Sequence, residues 1–349
     1  MSSRYVIIGA GAIGALLAAQ LHLAGKPVVL VARGRNLEAI RAHGVRVRRP
    51  SNTEQVRVPV VAGPHELQLT SDDVLVLTTK TQDAEQVLAE WAWQPVAPDR
   101  VAADLPLLTF QNGLATEDLA LRRFAQVYGV SIGVAASYLT PGEVVSPSYP
   151  IIGVVWLGRY PRPAAHEPHA EQYLRDLREA GYDGSLVEDI RAYKARKLLL
   201  NLANGLGVLQ GSDSERDQAR EKLVQEARAV FRAAGIEVTQ AAPGHLSVEP
   251  VPGHEPGHLS TWQSFARGAS SEVDYLNGEI VLLGRRHRVP TPVNERLQRL
   301  LGAQAAAGLP PGTHHVADVL TNDRSPNYVG PRNRVGRSEG RTHEPAHHR

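Results

Sequence analysis

With 349 residues, 42% of them apolar and 21% charged, the chain has the composition of a soluble globular protein long enough for two domains. A formal charge of +2 argues against a dedicated nucleic-acid binder, which would carry a basic excess on one domain. Cysteine is absent, which excludes disulfide staples, thiolate metal sites and a cysteine nucleophile.

The opening stretch, 5-YVIIGAGAIGALLAAQLHLAG-25, has the apolar content of a membrane span. Its pattern turns from strand-like at Tyr5–Ile8 to helix-like at Ile13–Leu23, and it carries Gln20 and His22, so it reads as strand–turn–helix. No other stretch is long and apolar enough for a span, and a cytoplasmic protein is expected. Further strands are predicted at Val28–Val31, Val58–Val61, Val74–Thr78, Leu107–Phe110 and Val127–Ile132. Amphipathic helices lie between them at Leu37–His43, Asp83–Trp91 and Glu117–Phe124. This alternation implies an α/β fold with a doubly wound parallel sheet of Rossmann type over residues 1–165.

Short strands and turns follow from about Gly142 to Tyr160, and 161-PRPAAHEPH-169 looks like a linker. Helices are then expected at Ala170–Ala180, Ile190–Gly205, Ser214–Ala234, Thr261–Leu283 and Asn294–Ala307, an all-α second domain over 170–310. The tail, 325–349, is basic and poor in apolar residues and reads as disordered. Histidines at 254, 258, 314, 315, 347 and 348 invite a metal reading, but none has an acidic cluster at ligand spacing, and no metal site is expected.

Gly9, Gly11 and Gly14 form G-x-G-x-x-G between the first strand and the first helix. Such glycines allow a tight turn, close approach of a pyrophosphate and close helix–sheet packing, while the helix N-terminus offers its free N–H groups. Gly9, Ala10, Gly11, Ala12, Ile13 and Gly14 are therefore candidate dinucleotide contacts. Enzymes that use NAD usually place an acid after the second strand; here 31-VARGR-35 has Arg33, which suits the 2′-phosphate of NADP(H).

In 194-KARKLLLNLANGLG-207, Lys197, Asn201 and Asn204 are spaced i, i+4, i+7 on one face of a leucine-rich helix. A lysine in such a setting is costly unless used or able to reach water. Two other stretches stand out: 111-QNG-113 at a strand end, and 271-SEVDYLNGEIV-281 followed by 289-VPTPVNERL-297.

Taken together and in order, these motifs resemble the ketopantoate reductase (2-dehydropantoate 2-reductase) family over roughly residues 4–305. The resemblance rests on Gly9–Gly14, Arg33, Thr79–Lys80 with Gln82, Gln111–Asn112–Gly113, the K-x-x-x-N of Lys197 and Asn201, S-E-x-D-x-x-N-G at Ser271–Gly278, and V-P-T-P at Val289–Pro292. It implies a Rossmann domain joined to an all-α domain like that of 6-phosphogluconate dehydrogenase, and NADPH-dependent reduction of a 2-oxo acid. It further implies Lys197 as general acid, Glu272 beside cofactor and substrate, Asn112 at the nicotinamide end, and Lys80 on the cofactor side. Asn201, Asn204 and Ser260 become substrate contacts. The chemistry agrees, since hydride addition builds negative charge on the carbonyl oxygen that an ammonium can stabilise and protonate.

The chain departs from the family at two places. Gly205 stands where a second substrate asparagine is common, with Asn204 one residue earlier and about 100° around a helix. Gly257 replaces another asparagine, three residues before Ser260. The expected partner is a small 2-oxo acid, ketopantoate first, with no nucleic acid or membrane. A different 2-oxo acid (opine-type or secondary metabolism) and a non-catalytic NADP(H)-binding regulator are the alternatives. Oligomeric state is open, a homodimer among the options.

Overall fold

The computed structural model describes residues 3–97, 99–138, 140–162, 167–241, 245–254, 260–266, 268 and 271–321. In chain order the first body contains β1 (Arg4–Ile8), α1 (Ala12–Leu23), β2 (Val28–Val31), α2 (Gly34–His43), β3 (Val45–Arg48), β4 (Thr53–Val56), β5 (Val60–Val61) and β6 (Asp73–Leu77). It continues with α3 (Thr81–Ala92), β7 (Pro95–Ala97), β8 (Arg100–Val101), β9 (Pro106–Thr109), α4 (Ala115–Leu121), β10 (Gln126–Gly133), β11 (Glu143–Val145), β12 (Gly153–Tyr160), α5 (Pro168–Glu179) and β13 (Tyr182–Leu186). The main sheet runs β13-β12-β10-β9-β6-β1-β2-β5. From β5 to β10 all pairings are parallel, and β12 alone turns antiparallel against β10. Strands such as VVLV in β2 are wholly buried because helices cover both faces. A small three-stranded sheet, β11-β3-β4, sits beside this one.

The sheet takes in more chain than the sequence suggests. β13 pairs in parallel with β12, and α5 packs onto the same unit, so the helical body begins near Ile190 and not at 170. Residues 163–166 of the expected Pro/His-rich linker lie outside the described residues, and YDGSL is too short and too polar to announce a strand.

The second body is built from α6 (Ile190–Asn201), α7 (Asp213–Ala233), α8 (Ser260–Ala266), α9 (Asn277–His287) and α10 (Pro292–Ala306). Its core joins Leu198, Leu202, Leu223, Val230, Ile280, Leu297 and Leu301, all buried. Ser212 and Glu215 form a reciprocal capping box at the start of α7, which fixes where that long helix begins. The expected helix over Thr261–Leu283 is broken: α8 stops at Ala266, a 3-10 turn covers Val273–Tyr275, and α9 starts at Asn277. Gly268, Ser271, Asp274 and Asn277–Gly278 are turn formers that outweigh the apolar spacing. Buried Asn277 and Asn294 are spent on structure, Asn277 donating to Leu202 O and to Asn294 Oδ1, both at 3.1 Å. Among the described residues no helix is long and apolar enough to cross a membrane.

Two of the features that join the bodies are main-chain ones. Helix α6 starts in the core of the first, through Ile190, and ends in the core of the second, through Leu198 and Leu202. Later, residues 247–249 return to the first body: Tyr149 N donates to Ser247 O at 3.0 Å, and Glu249 N to Pro147 O at 2.9 Å.

Candidate active site

Strands β1, β6 and β9 end level with one another, since Ile8 is paired with Leu77 and Leu77 with Thr109. The sheet order reverses between β1 and β6, and in an open parallel sheet ligands bind at such a point. Beyond the three strand ends lie Gly9–Gly14, Thr78–Lys80 and Gln111–Gly113, as the sequence led one to expect.

The three glycines do different work. A Cβ on Gly14 would fall 1.8 Å from Gly9 O and 2.4 Å from Thr78 Oγ1, so Gly14 lets α1 meet the turn, which Thr78 holds by donating to Gly9 O at 2.7 Å. Gly9, at φ +116, adopts a backbone that other residues rarely take and abuts Thr79. Among the described residues, apart from Gly11's own chain neighbours and helix backbone, nothing lies within 4 Å of a Cβ on Gly11. Gly11 is also the N-cap of α1 and no side chain caps that end, leaving the first helical amides, from Ala12 and Ile13 on, aimed outward. Ala10 is buried, and its carbonyl accepts from Asn36 Nδ2 at 2.7 Å. Close by, Thr79 Oγ1 and Gln111 Oε1 are buried with no hydrogen-bond partner among the described residues, although Gln111 Nε2 donates to Leu77 O and Thr79 O.

Arg33 follows β2 and is exposed, and its guanidinium reaches Glu90 of α3 at 2.5 Å. Asn112 lies half-buried beside Gly113, with its carbonyl accepting from Thr81 Oγ1 at 3.2 Å. Gly113, at φ +82, faces the helical body so closely that a Cβ would stand 2.5 Å from Tyr275 O. This contact seats the Val273–Tyr275 turn on the sheet edge and brings Glu272, its N-cap, to the start of α3. There Thr81 N–H donates to the Glu272 carboxylate, an acid at a helix N-terminus. Lys80 Nζ donates to Ser264 Oγ of α8 at 2.7 Å. Burial pushes the Glu272 carboxyl above the usual carboxylate range, against the pull of Lys80 and Lys197.

Lys197 comes to the same place from α6. It is half-buried, and its Nζ donates to the carbonyl of Ile132, so the ammonium does not escape to water along the leucines. Thr109 is paired with Gly129, which leaves β10 running on past the level of its neighbours to Ile132. That overrun supplies the carbonyl. Burial lowers the Lys197 pKa to about 8, the nearby Lys194 pushing the same way and Glu272 opposing. Leu198, Leu199, Leu202 and Leu206 are buried as expected, whereas Leu200 is 66% exposed.

Asn201 ends α6, and the chain tightens into a 3-10 turn over Asn204–Val208, not the continuous helix expected to Gly205. Leu202 and Ala203 keep helical backbone between the two elements, so Asn204 lies over Asn201 at i, i+3, Nδ2 donating to Oδ1 at 3.4 Å. Gly205 faces the core instead, where a Cβ would meet Leu301 Cδ1 at 2.6 Å. The α8 backbone begins at Ser260, while the Ser260 side chain, Gly257 and the tail from 325 lie outside the described residues. Sequence reasoning missed two further residues: Lys194 and Glu117, an ion pair buried directly behind Lys197. The signal was present, because Lys194 precedes Lys197 by one helical turn.

Known proteins share both bodies. The model of the family described as ketopantoate reductase PanE/ApbA matches residues 5–162, and that of its C-terminal domain matches 189–305. A 2-dehydropantoate 2-reductase from Pyrococcus horikoshii is 25% identical, the match covering 86% of this chain and 97% of that one. One from Archaeoglobus fulgidus is 28% identical over 85% and 96%. The crystal structure of a PanE/ApbA family ketopantoate reductase from Ralstonia eutropha superposes with a TM-score of 0.70 at 26% identity, covering 87% of this chain and 99% of that one. A D-mandelate dehydrogenase, solved with NADH and anilino(oxo)acetate, shares the fold with a TM-score of 0.73 at 22% identity, over 87% and 99%. Two family models that between them span most of the chain, matched to a nucleotide-type crevice and a lysine-bearing helix, place it: the chain belongs to the ketopantoate reductase family, oxidoreductases acting on CH–OH groups.

Proposed function

We propose that the protein reduces a 2-oxo acid to the 2-hydroxy acid with NADPH, ketopantoate being the favoured substrate. One observation carries this reading: Glu272 is held at the first amide of α3 beside the Asn112 loop, at the ligand edge of the sheet, and it and Lys197 of α6 lie within each other's electrostatic reach. The crevice fits a dinucleotide, because the space at Gly11, the uncapped start of α1 and the unpartnered Thr79 Oγ1 and Gln111 Oε1 all ask for a polar ligand. Gly9–Gly14 would hold the pyrophosphate, Arg33 the 2′-phosphate, and Asn112, Lys80 and Glu272 the nicotinamide half. When bound, the cofactor supplies the hydride.

The remaining work falls to the chain. Lys197 aims its ammonium at the carbonyl oxygen, stabilises the charge developing there and gives up its proton, leaving a neutral amine to be recharged from solvent. Glu272, by opposing the burial of Lys197, holds more of it in the protonated form that the step requires. Asn201 and Asn204 would present a paired amide edge to the substrate, and Ser260, the first residue of α8, is the residue proposed for its carboxylate. Because Gly205 is turned into the core, the amides at 201 and 204 are what this helix offers for recognition of a distal hydroxyl. This narrower set is what favours a second reading, in which the oxo acid is one other than ketopantoate.

The test is the initial rate of NADPH oxidation with ketopantoate, beside the Lys197→Ala variant. Turnover is expected, with kcat in the variant lower by about 10²–10⁴. An inert ketopantoate with intact NADPH binding would move the assignment to another 2-oxo acid. Failure to bind either nicotinamide dinucleotide would overturn the reading.

A further inference from the structure

Lys194 and Glu117 are among the most deeply buried charges in the described chain, 3% and 1% exposed, and they pair with each other. Glu117 belongs to α4 in the first body and Lys194 to α6, so the pair bridges the seam between the bodies. Thr109 Oγ1 donates to the same Glu117 oxygen at 2.7 Å, which fixes that carboxylate from the sheet. One turn earlier, Ile190 fits against Gly129 and Gly158, where added Cβ atoms would come within 3.0 Å of it. Helix α6 is thus seated on the sheet by a shape fit and a buried charge pair, and Lys197 leaves it one turn beyond Lys194.

A merely structural seat would not need charge. Burying two ions carries a large desolvation cost, and a well-packed apolar pair often holds a helix equally well. What an apolar pair cannot supply is a fixed positive charge one turn from the proton donor. We propose that Lys194, held by Glu117, is a positioning residue for the reaction: it docks the helix that carries Lys197 and sets the field in which Lys197 releases its proton. This rests on the reading of Lys197 as the acid. The charged groups acting on Lys197 are Lys194 from its own helix and Glu272 from the turn before α9, and its ammonium faces the Ile132 carbonyl from β10. Lys80 stands behind Glu272; Glu117 stands behind Lys194, and Arg191, Asp118 and Glu279 belong to the same seam. With Lys194 charged, the conjugate amine of Lys197 is the easier product; without it, Lys197 would keep its proton to higher pH.

The chain has five lysines, so Lys197 can be followed directly in protein labelled with 13C-lysine, its resonance identified by its loss in Lys197→Ala. The full-length protein would be titrated from pH 6 to 11 as wild type, Lys194→Met, Lys194→Arg and the double variant Lys194→Met/Glu117→Leu, with kcat/KM for ketone reduction measured alongside. The Lys197 titration and the alkaline fall of kcat/KM are expected to move up together by about one pH unit in Lys194→Met. They should move the same way in the double variant, and Lys194→Arg should restore them. The double variant has no unpaired buried ion and carries the test if Lys194→Met does not fold. An unmoved Lys197 titration in the double variant overturns the proposal. If the resonance moves while the kinetic limb stays, Lys197 is not the acid, and the parent reading fails with it.

Discussion

The two walls of the cleft are built from different materials. On the sheet side, Gly9, Gly11 and Gly14 work by having no side chains: they clear space and leave main-chain amides facing outward. On the helical side, the proposed site residues Lys197, Glu272, Asn201 and Asn204 would work through side chains that arrive from three separate elements. The first wall is local in sequence and can be read from six residues. The second exists only when a helix end, a broken helix and the sheet edge come together, so its precision depends on the whole fold.

Paired glycine variants break the comparison most sharply, because they separate folding from binding on one wall. Gly14→Ala puts a Cβ into main chain at 1.8 Å and should cost about 2–3 kcal/mol of stability, together with dinucleotide binding. Gly11→Ala meets no protein atom, so it should melt within about 1 °C of wild type yet bind NADPH at least about tenfold more weakly. Thermal denaturation and a fluorescence titration of NADPH decide both. A Gly11→Ala protein that binds normally would remove that glycine from the site.

The helical wall answers to pH. With its pKa lowered to about 8, Lys197, the proposed acid, is charged below that value and neutral above it. In the reducing direction kcat/KM should therefore fall tenfold per unit at alkaline pH. In the oxidising direction, which needs the neutral amine as base, it should rise through the same pH. Limbs of the same sign in both directions would mean that some other group moves the proton.

The smallest effect expected is at Arg33. Its contact with Glu90 is exposed, and such pairs contribute little in water, so a bound 2′-phosphate can compete for the guanidinium. Arg33→Ser should weaken NADPH by about tenfold and leave NADH unchanged. Equal losses for both dinucleotides would make Arg33 a surface residue and sharpen the contrast further, placing all recognition of the nucleotide in the main chain.

The same division explains what could be read from the sequence. The strand–turn–helix at the N-terminus, the buried strand VVLV and the placing of 111-QNG-113 at a strand end follow from local pattern, and local pattern is what apolar spacing reports. The break between α8 and α9 did not follow, because the apolar residues on either side keep helical spacing while Gly268, Asp274 and Asn277 act on the backbone. That break matters to the proposed site, since a continuous helix would not offer Glu272 to the first amide of α3. The 3-10 turn after Asn201 was hidden for a similar reason: it begins at Asn204–Gly205, where the glycine abuts Leu301 from a distant part of the chain while the leucines keep helical spacing. Lys194 was visible as a residue but not as a buried one, because its partner is 77 positions away.

The chain's double crossing of the seam has a consequence for how the molecule comes apart. It enters the helical body along α6 and then returns at 247–249 to hydrogen-bond with Pro147 and Tyr149. With the Lys194–Glu117 pair and the Gly113–Tyr275 contact added, the helical body cannot detach without stripping groups from the sheet's own loops. The bodies are distinct in architecture yet tied at several points along the seam, so heat is expected to unfold them in a single transition.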